Sequence, residues 1–228
     1  MDCAHEKAHS RCRGRREFGW AVRDFFVALF SPLAPHLRRI HPNVLTLFSL
    51  VTGILAGVSF VLTRFSPVFF LVGGGFIALS GMGDSLDGIV ARAHAKTSRT
   101  GDFLDHFVDR LVDVAILAGL TFSRGAHATL GFILIVLALL HSYLGTQIEA
   151  TLGKRSYAGA GKAELFVAFI VFTIPAYFLS DWQLRLGGRA LVFADLFMIV
   201  LGLITAFSIM QRFLRGLRAC RQADGREK

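Results

Sequence analysis

The sequence predicts an all-α fold: a six-helix polytopic transmembrane bundle preceded by an N-terminal interfacial amphipathic helix. Three observations carry that prediction. Of 228 residues, 54% are apolar and only 18% charged, with a mean hydropathy of +0.55. A soluble domain carries about a quarter charged residues, so this chain has too little polar surface for a water-soluble globule. The apolar richness equally excludes disorder. Six stretches then approach the roughly 20 apolar residues that cross a hydrocarbon core. No stretch alternates apolar and polar residues with the period of two that strands or a membrane barrel need.

The elements follow in order. Residues 1–41 form a basic arm that is polar for about its first 17 residues, with no short apolar core before a small-residue cleavage site, so no secretory signal is expected. From Glu17 to Ile40 the arm mixes Phe18, Trp20, Phe25, Phe26 and Phe30 with Arg23 and Asp24, the pattern of a helix lying in the membrane interface. Pro32 and Pro35 break it, and Pro42 opens the first span. The spans cover about 43–63, 67–92, 102–123, 127–149, 162–180 and 188–212, separated by short breakers such as Arg64-Phe65-Ser66-Pro67 and Ser123-Arg124-Gly125. They make up a domain at 42–213, and 214–228 is a basic tail. Gly73-Gly74-Gly75, Gly81 and Gly83 suit close helix contact.

Net charge is +9, which in a soluble protein would suggest nucleic acid. Here the charges sit between apolar runs, so the expected partner is a lipid bilayer and not nucleic acid. Six spans put both ends of the chain on one side. Twenty Lys and Arg residues fall on that side, in the arm, the second and fourth connections and the tail. Four, Arg64, Arg124, Arg185 and Arg189, fall on the other, while Arg110 lies within a span. The positive-inside rule therefore predicts cytoplasmic termini in a multi-pass cell-membrane protein. The three cysteines, Cys3, Cys12 and Cys220, lie in the charged ends and offer no disulfide framework for the core. Cys3, His5, His9 and Cys12 are zinc-ligand types, but their spacing matches no zinc motif, and a basic arm beside anionic lipid accounts for them.

Ionisable groups inside spans are costly and mark function. They cluster where the second span ends, at Asp84 and Asp87, and where the third begins, at Asp105 and Asp109. Spacings of three and four put each pair on one helix face, and a short turn lets the pairs face each other near the cytoplasmic surface. Four converging carboxylates repel unless cations neutralise them. An all-oxygen donor set points to Mg²⁺ or Mn²⁺ rather than zinc, and two such ions about 3.5–4 Å apart serve a phosphoryl-type substitution. Gly88 lets a substrate approach the backbone, and Arg92 offers a fork for phosphate. A cation-binding transporter using the same carboxylates is the alternative, although it leaves Gly88, Arg92 and the cytoplasmic-edge placement unexplained.

The pattern Asp84-x2-Asp87-Gly88-x2-Ala91-Arg92-x8-Gly101-x3-Asp105-x3-Asp109 resembles the complete motif of the CDP-alcohol phosphotransferase family, with all eight fixed residues matched over 26 positions. The six-span layout extends the resemblance from Pro42 onward. It implies an integral membrane enzyme that takes a CDP-linked lipid donor, transfers its phosphatidyl-type group to the hydroxyl of a small polar alcohol acceptor, and releases CMP. It also implies roles. Asp84, Asp87 and Asp105 hold metal. Asp109 reaches the second ion and acts as general base on the acceptor hydroxyl. Gly88, Arg92 and Ser98 touch the CDP moiety. Pro42-Asn43-Val44-Leu45-Thr46 resembles the segment with which family members begin their first span, so Asn43 and Thr46 are expected to line the nucleotide pocket; capping of the first helix is the other role open to them.

Many acceptors in the family carry a phosphate, as glycerol 3-phosphate and inositol 1-phosphate do. Lys154, Arg155, Lys162 and Arg212 lie on the right side to bind one, and ordinary topology charge explains them as well. Gln147 and Glu149 end the fourth span near the same surface, and Asp102 and Asp113 share the helical stripe of Asp105 and Asp109 as cavity-lining groups. His141 reads as a helix-packing partner. The phrases Thr100 to Asp113 and Tyr157 to Glu164 look most like archaeal members, for which the donor would be CDP-archaeol. No fused nucleotidyltransferase domain is visible, so the donor is expected to arrive activated. Relatives are commonly homodimers, and a homodimer is expected here.

Overall fold

Prolines and short polar turns set where the helices begin and end. A computed structural model describes residues 40–93, 98–153, 162–186 and 189–225, with Pro32 and Leu37. Among them are six helices: α1 (Pro42–Leu62), α2 (Val68–Ala93), α3 (Arg99–Thr121), α4 (Ala128–Leu152), α5 (Lys162–Phe178) and α6 (Phe193–Asp224). Pro42 opens α1, where its missing N–H costs nothing. The cap is His41, whose Nδ1 accepts from the Asn43 N–H at 3.3 Å. The capping role that the sequence leaves open for Asn43 and Thr46 thus falls to His41. Ser98 caps α3, its Oγ accepting from the Gly101 N–H at 3.0 Å.

Contacts between helices give their directions. Ser49 meets Ser80 at 3.1 Å and Thr46 meets Asp87, so α1 and α2 run antiparallel. Gly53 packs on Val112, and Gly57 on Ala115 and Gly119, so α1 and α3 run parallel. Gly74 against Thr173 and Gly81 against Phe166 make α2 and α5 antiparallel. His127 with Asp195, His141 with Ser208 and Ile148 with Gly216 make α4 and α6 parallel. Successive helices therefore alternate in direction. The start of α1, the α2–α3 turn and the far part of α6 share one end of the bundle.

By length and composition α1, α2, α4 and α6 are each able to cross a membrane. The other two fall short for physical reasons: α3 carries the charged stripe, and α5 has 17 residues. Phe60, Ile77, Val112, Leu120 and Met198 centre the apolar core. Outside it, Val44, Leu47, Val51, Ile54 and Val58 present an exposed apolar stripe along α1, as Phe132, Ile133, Val136 and Leu140 do along α4. In water such a surface is a liability, whereas in hydrocarbon it matches its solvent. The chain is a multi-pass membrane protein.

Two expectations need correction. The fold is not purely helical, because Gln183–Leu186 (β1) and Arg189–Val192 (β2) pair as an antiparallel hairpin, with Gln183 opposite Val192 and Leu186 opposite Arg189. Gln183-Leu184-Arg185-Leu186 does alternate polar and apolar residues, and the sequence Gly-Gly that follows at 187–188 is of the type that favours a hairpin. Four residues are too short for periodicity to stand out beside a span. The last helix accordingly begins at Phe193, not at 188, and it runs on without a break to Asp224. The arm with its interfacial helix lies outside the described residues.

At the end opposite the carboxylates, polar ties hold the turns. Arg64 donates to the Phe122 carbonyl at 2.7 Å, and the Arg124 N–H donates to Thr63 Oγ1 at 2.9 Å. Asp195, fully buried, accepts from the His127 N–H and ring Nδ1, each at 2.8 Å, and from the Val192 N–H at 2.9 Å. This one carboxylate pins the starts of α4 and α6 together. Replacing it strands the buried Val192 N–H and the two half-buried His127 donors, so Asp195→Ala is expected to cost about 3 kcal/mol. Thermal unfolding in detergent measures this, and an unchanged midpoint would show that the tie carries no stability.

Candidate active site

The carboxylate site is a gap between helices. Helices α2 and α3 each pack along α1 but barely touch one another. Into the gap α2 projects Asp84 and Asp87 from one face, and α3 projects Asp105 and Asp109 from one face. Because the two helices run oppositely, Asp87 and Asp105 lie at the outer level, and Asp84 and Asp109 lie one helical turn further in.

A cleft of about 240 Å³ opens over the outer level. Pro42, Asn43 and Thr46 of α1 line it, with Asp87, Gly88, Ala91 and Arg92 of α2, Ser98, and Gly101, Asp102 and Asp105 of α3. The residues named from the sequence for the donor nucleotide, Asn43, Thr46, Gly88, Arg92 and Ser98, thus share one cleft with Asp87 and Asp105. The small residues have a steric reason to be there. A Cβ at Gly88 would lie 3.3 Å from the Arg92 guanidinium, so glycine leaves Arg92 room to fold along the wall. A Cβ at Gly101 would lie 3.1 Å from Ser98 Oγ and 3.6 Å from Asn43 Oδ1, so glycine brings the α1 and α3 termini together.

Asp87 is 5% exposed and accepts a 2.7 Å hydrogen bond from Thr46 Oγ1. It sits beside Asp105 and Asp84, close enough to be repelled by both. Burying ionised carboxylates side by side is costly unless a cation offsets them. Deeper in the gap, Asp109 is buried, and Arg110 bridges from 3.8 Å to Asp109 and 3.1 Å to Asp113. One oxygen each of Asp105 and Asp109 and a ring nitrogen of His106 lie within 4.8 Å of one another, a spacing a single ion can span. Sequence reasoning gave His106 no role. Its position three residues before Asp109 was the available signal. The donors, mostly carboxylate oxygens, fit a hard divalent cation.

Arg212 stands apart from the cleft. Its Nη1 donates to the main-chain oxygen of His141 at 3.1 Å, across the α4–α6 contact, and it lies near enough to Arg110 to repel it. His141 is a packing partner as expected, its Nε2 3.0 Å from Ser208 Oγ. Lys154 and Arg155 lie outside the described residues, and Lys162 opens α5 with its side chain likewise outside them.

Comparison with known proteins now bears on this geometry. A family model described as CDP-alcohol phosphatidyltransferase matches residues 39–211. The chain belongs to that family. It is a transferase of phosphate-containing groups, and membership decides against the transporter alternative. The chain is 34% identical to the archaetidylinositol phosphate synthase of Aeropyrum pernix, over 75% of this chain and 87% of that one. It is 30% identical to the archaetidylinositol phosphate synthase of Methanothermobacter thermautotrophicus, over 63% of this chain and 69% of that one. The fold is that of the phosphatidylinositol phosphate synthase of Mycobacterium tuberculosis, solved with CDP-DAG bound: TM-score 0.65 at 20% identity, covering 83% of this chain and 94% of that one. A second structure of that protein, in complex with manganese and citrate, superposes with a TM-score of 0.64 at 21% identity, covering 82% of this chain and 88% of that one.

The Thr46 hydroxyl orients the Asp87 carboxylate from outside the acidic cluster. Thr46→Val keeps the shape and removes the donor; with Asp87 as a metal ligand, as proposed below, it is expected to weaken Mn²⁺ binding roughly tenfold, as loss of a hydrogen bond that orients a ligand does. Calorimetric titration of the purified protein reads this directly. Unaltered affinity would mean the hydrogen bond leaves the carboxylate's role untouched.

Proposed function

We propose that this protein is a membrane phospholipid head-group synthase. It would transfer a diacylglycerol- or archaeol-phosphate group from a CDP-linked lipid to the hydroxyl of a phosphorylated polyol and release CMP. The observation that carries the reading is the meeting of six of the eight motif positions, Asp87, Gly88, Ala91, Arg92, Gly101 and Asp105, with Asn43, Thr46 and Ser98 around one interhelical cleft. The names of its relatives, archaetidylinositol and phosphatidylinositol phosphate synthases, favour inositol 1-phosphate over glycerol 3-phosphate as acceptor.

Asp84, Asp87, Asp105 and Asp109 would hold two divalent ions, Mg²⁺ or Mn²⁺. Bound there, the ions supply positive charge for the carboxylates and for the diphosphate of the donor. Asn43, Thr46, Gly88, Arg92 and Ser98 would seat the cytidine diphosphate, with the Arg92 fork on phosphate oxygens. Asp109 would take the proton of the acceptor hydroxyl. The freed oxygen forms its bond to the lipid-linked phosphorus as the bond to CMP breaks, and CMP leaves with the electron pair. Arg212, with Lys154, Arg155 and Lys162, would bind the phosphate of the acceptor.

Six alternating helices would each cross the bilayer, and the excess of Lys and Arg at the carboxylate end supports a cytoplasmic site and cytoplasmic termini. The arm at 1–41, the catalytic domain at 42–213 and the tail at 214–228 belong to the same reading, as does assembly into a homodimer.

The test is CMP release by purified protein given CDP-archaeol or CDP-diacylglycerol and Mg²⁺. Inositol 1-phosphate, glycerol 3-phosphate, myo-inositol and serine are supplied singly. Release with inositol 1-phosphate alone is expected, and release with serine or free inositol alone would refute the phosphorylated acceptor. EDTA is expected to stop turnover, and Mg²⁺ or Mn²⁺ to restore it; full activity in chelator would remove the metal from the mechanism. Asp109→Asn is expected to lower turnover by about 10²–10⁴-fold with the melting temperature preserved. Robust activity in that variant would exclude Asp109 as the base.

A further inference from the structure

We propose that Gly145 is a positioning residue for the acceptor: the missing side chain at 145 sets where the Arg212 guanidinium lies, and so how tightly a phosphate-bearing acceptor is held. The inference rests on the reading that Arg212 binds that phosphate.

The α4–α6 seam is built from matched rungs. His141 faces Ser208, Gly145 faces Arg212 and Ile148 faces Gly216. At the middle rung a cation lies in the seam between two helices. Its Nη1 donates to the His141 main-chain oxygen at 3.1 Å. In a regular helix that oxygen also accepts from the N–H of residue 145, four positions on, so the guanidinium lies over the turn that ends at the glycine. A Cβ built on Gly145 would stand 2.6 Å from Nη1, closer than such atoms approach, and 3.6 Å from Cζ. Only glycine at 145 permits this placement of Arg212.

The clash would fall on the free end of a flexible side chain and not on backbone. An alanine at 145 therefore moves the guanidinium and leaves the helices in place. By contrast, a Cβ at Gly119 would meet the main chain of Gly57, where nothing gives way easily. The placement also has an electrostatic sense. Arg212 is held within repulsive reach of Arg110, which bridges Asp109 and Asp113. Two guanidinium groups so placed offer a forked set of N–H donors to a multiply charged anion, and a phosphate monoester is such an anion.

The experiment compares the unmodified chain, Gly145→Ala, Arg212→Gln and the double variant, using purified full-length protein with CDP-lipid and Mg²⁺. The probes are inositol 1-phosphate and glycerol 3-phosphate. Gly145→Ala is expected to fold, to raise the acceptor KM by about tenfold, and to leave kcat and the KM for the CDP-lipid within about twofold, the mark of lost ground-state binding. In the Arg212→Gln background Gly145→Ala is expected to add nothing further, because it acts through Arg212. An acceptor KM unchanged by Gly145→Ala but raised by Arg212→Gln would overturn the inference and leave the reading of Arg212 standing. An acceptor KM unchanged by Arg212→Gln would overturn both. Loss of fold in Gly145→Ala, or an equal fall in turnover with either substrate varied, would mean the glycine serves packing alone and would also overturn the proposal.

Discussion

Everything at the carboxylate end depends on how α1 keeps α2 and α3 apart. Four carboxylates cannot be packed into a closed helix contact, since their mutual repulsion grows as the dielectric falls. They can line a gap. The fold makes the gap by giving both acidic helices the same partner. Glycines 53 and 57 of α1 take α3 at close range, and Gly83 of α2 takes the Leu45 to Ser49 turn of α1 somewhat less closely. Each acidic helix is thus fixed tightly on its α1 side and left open on its acidic side. The cleft is a product of where the close contacts are, as much as of where the acids are.

The membrane setting imposes a second economy. Among the described residues every buried side-chain nitrogen or oxygen has a partner. Much of this is local: Thr52, Ser59, Ser85, Thr121 and Thr205 hydroxyls each donate to a carbonyl one turn back on their own helix. Such residues satisfy themselves and act in packing as small spacers. The few polar groups that reach between helices stand out against them. Thr46 with Asp87, Ser49 with Ser80, His127 with Asp195 and His141 with Ser208 mark the seams where the arrangement is fixed by direction as well as by volume.

What the sequence reveals and what it hides follow from distance along the chain. Asp84, Asp87, Gly88, Arg92, Asp105 and Asp109 lie within one short stretch, and helical spacing alone puts each pair on a face. Asn43 and Thr46 are legible only through the resemblance, because nothing local shows that α1 lies under the gap. The short hairpin is hidden by its brevity beside a long apolar run. Asp195 and His127, 68 residues apart, give no local sign of their hydrogen bond. The same holds for Gly145 and Arg212, since a glycine in an apolar helix ordinarily signals packing, and an arginine at a membrane edge ordinarily signals topology. Both meanings change only when the register between α4 and α6 is known.

That register has a mechanical consequence. Helices α4 and α6 are parallel rods clamped together at one end by Asp195. Arg212 lies 17 residues along one rod from that clamp, and Gly145 lies 18 residues along the other from His127, about 26 and 27 Å at 1.5 Å per residue. The two therefore arrive at the same depth because two equal lengths are measured from one origin. A clamp at the end of the bundle opposite the carboxylates acts as the zero mark of a ruler whose reading is taken at Arg212. A slip of one helical turn at the clamp would carry the arginine about 5.4 Å past its glycine, with no residue near the carboxylates having changed.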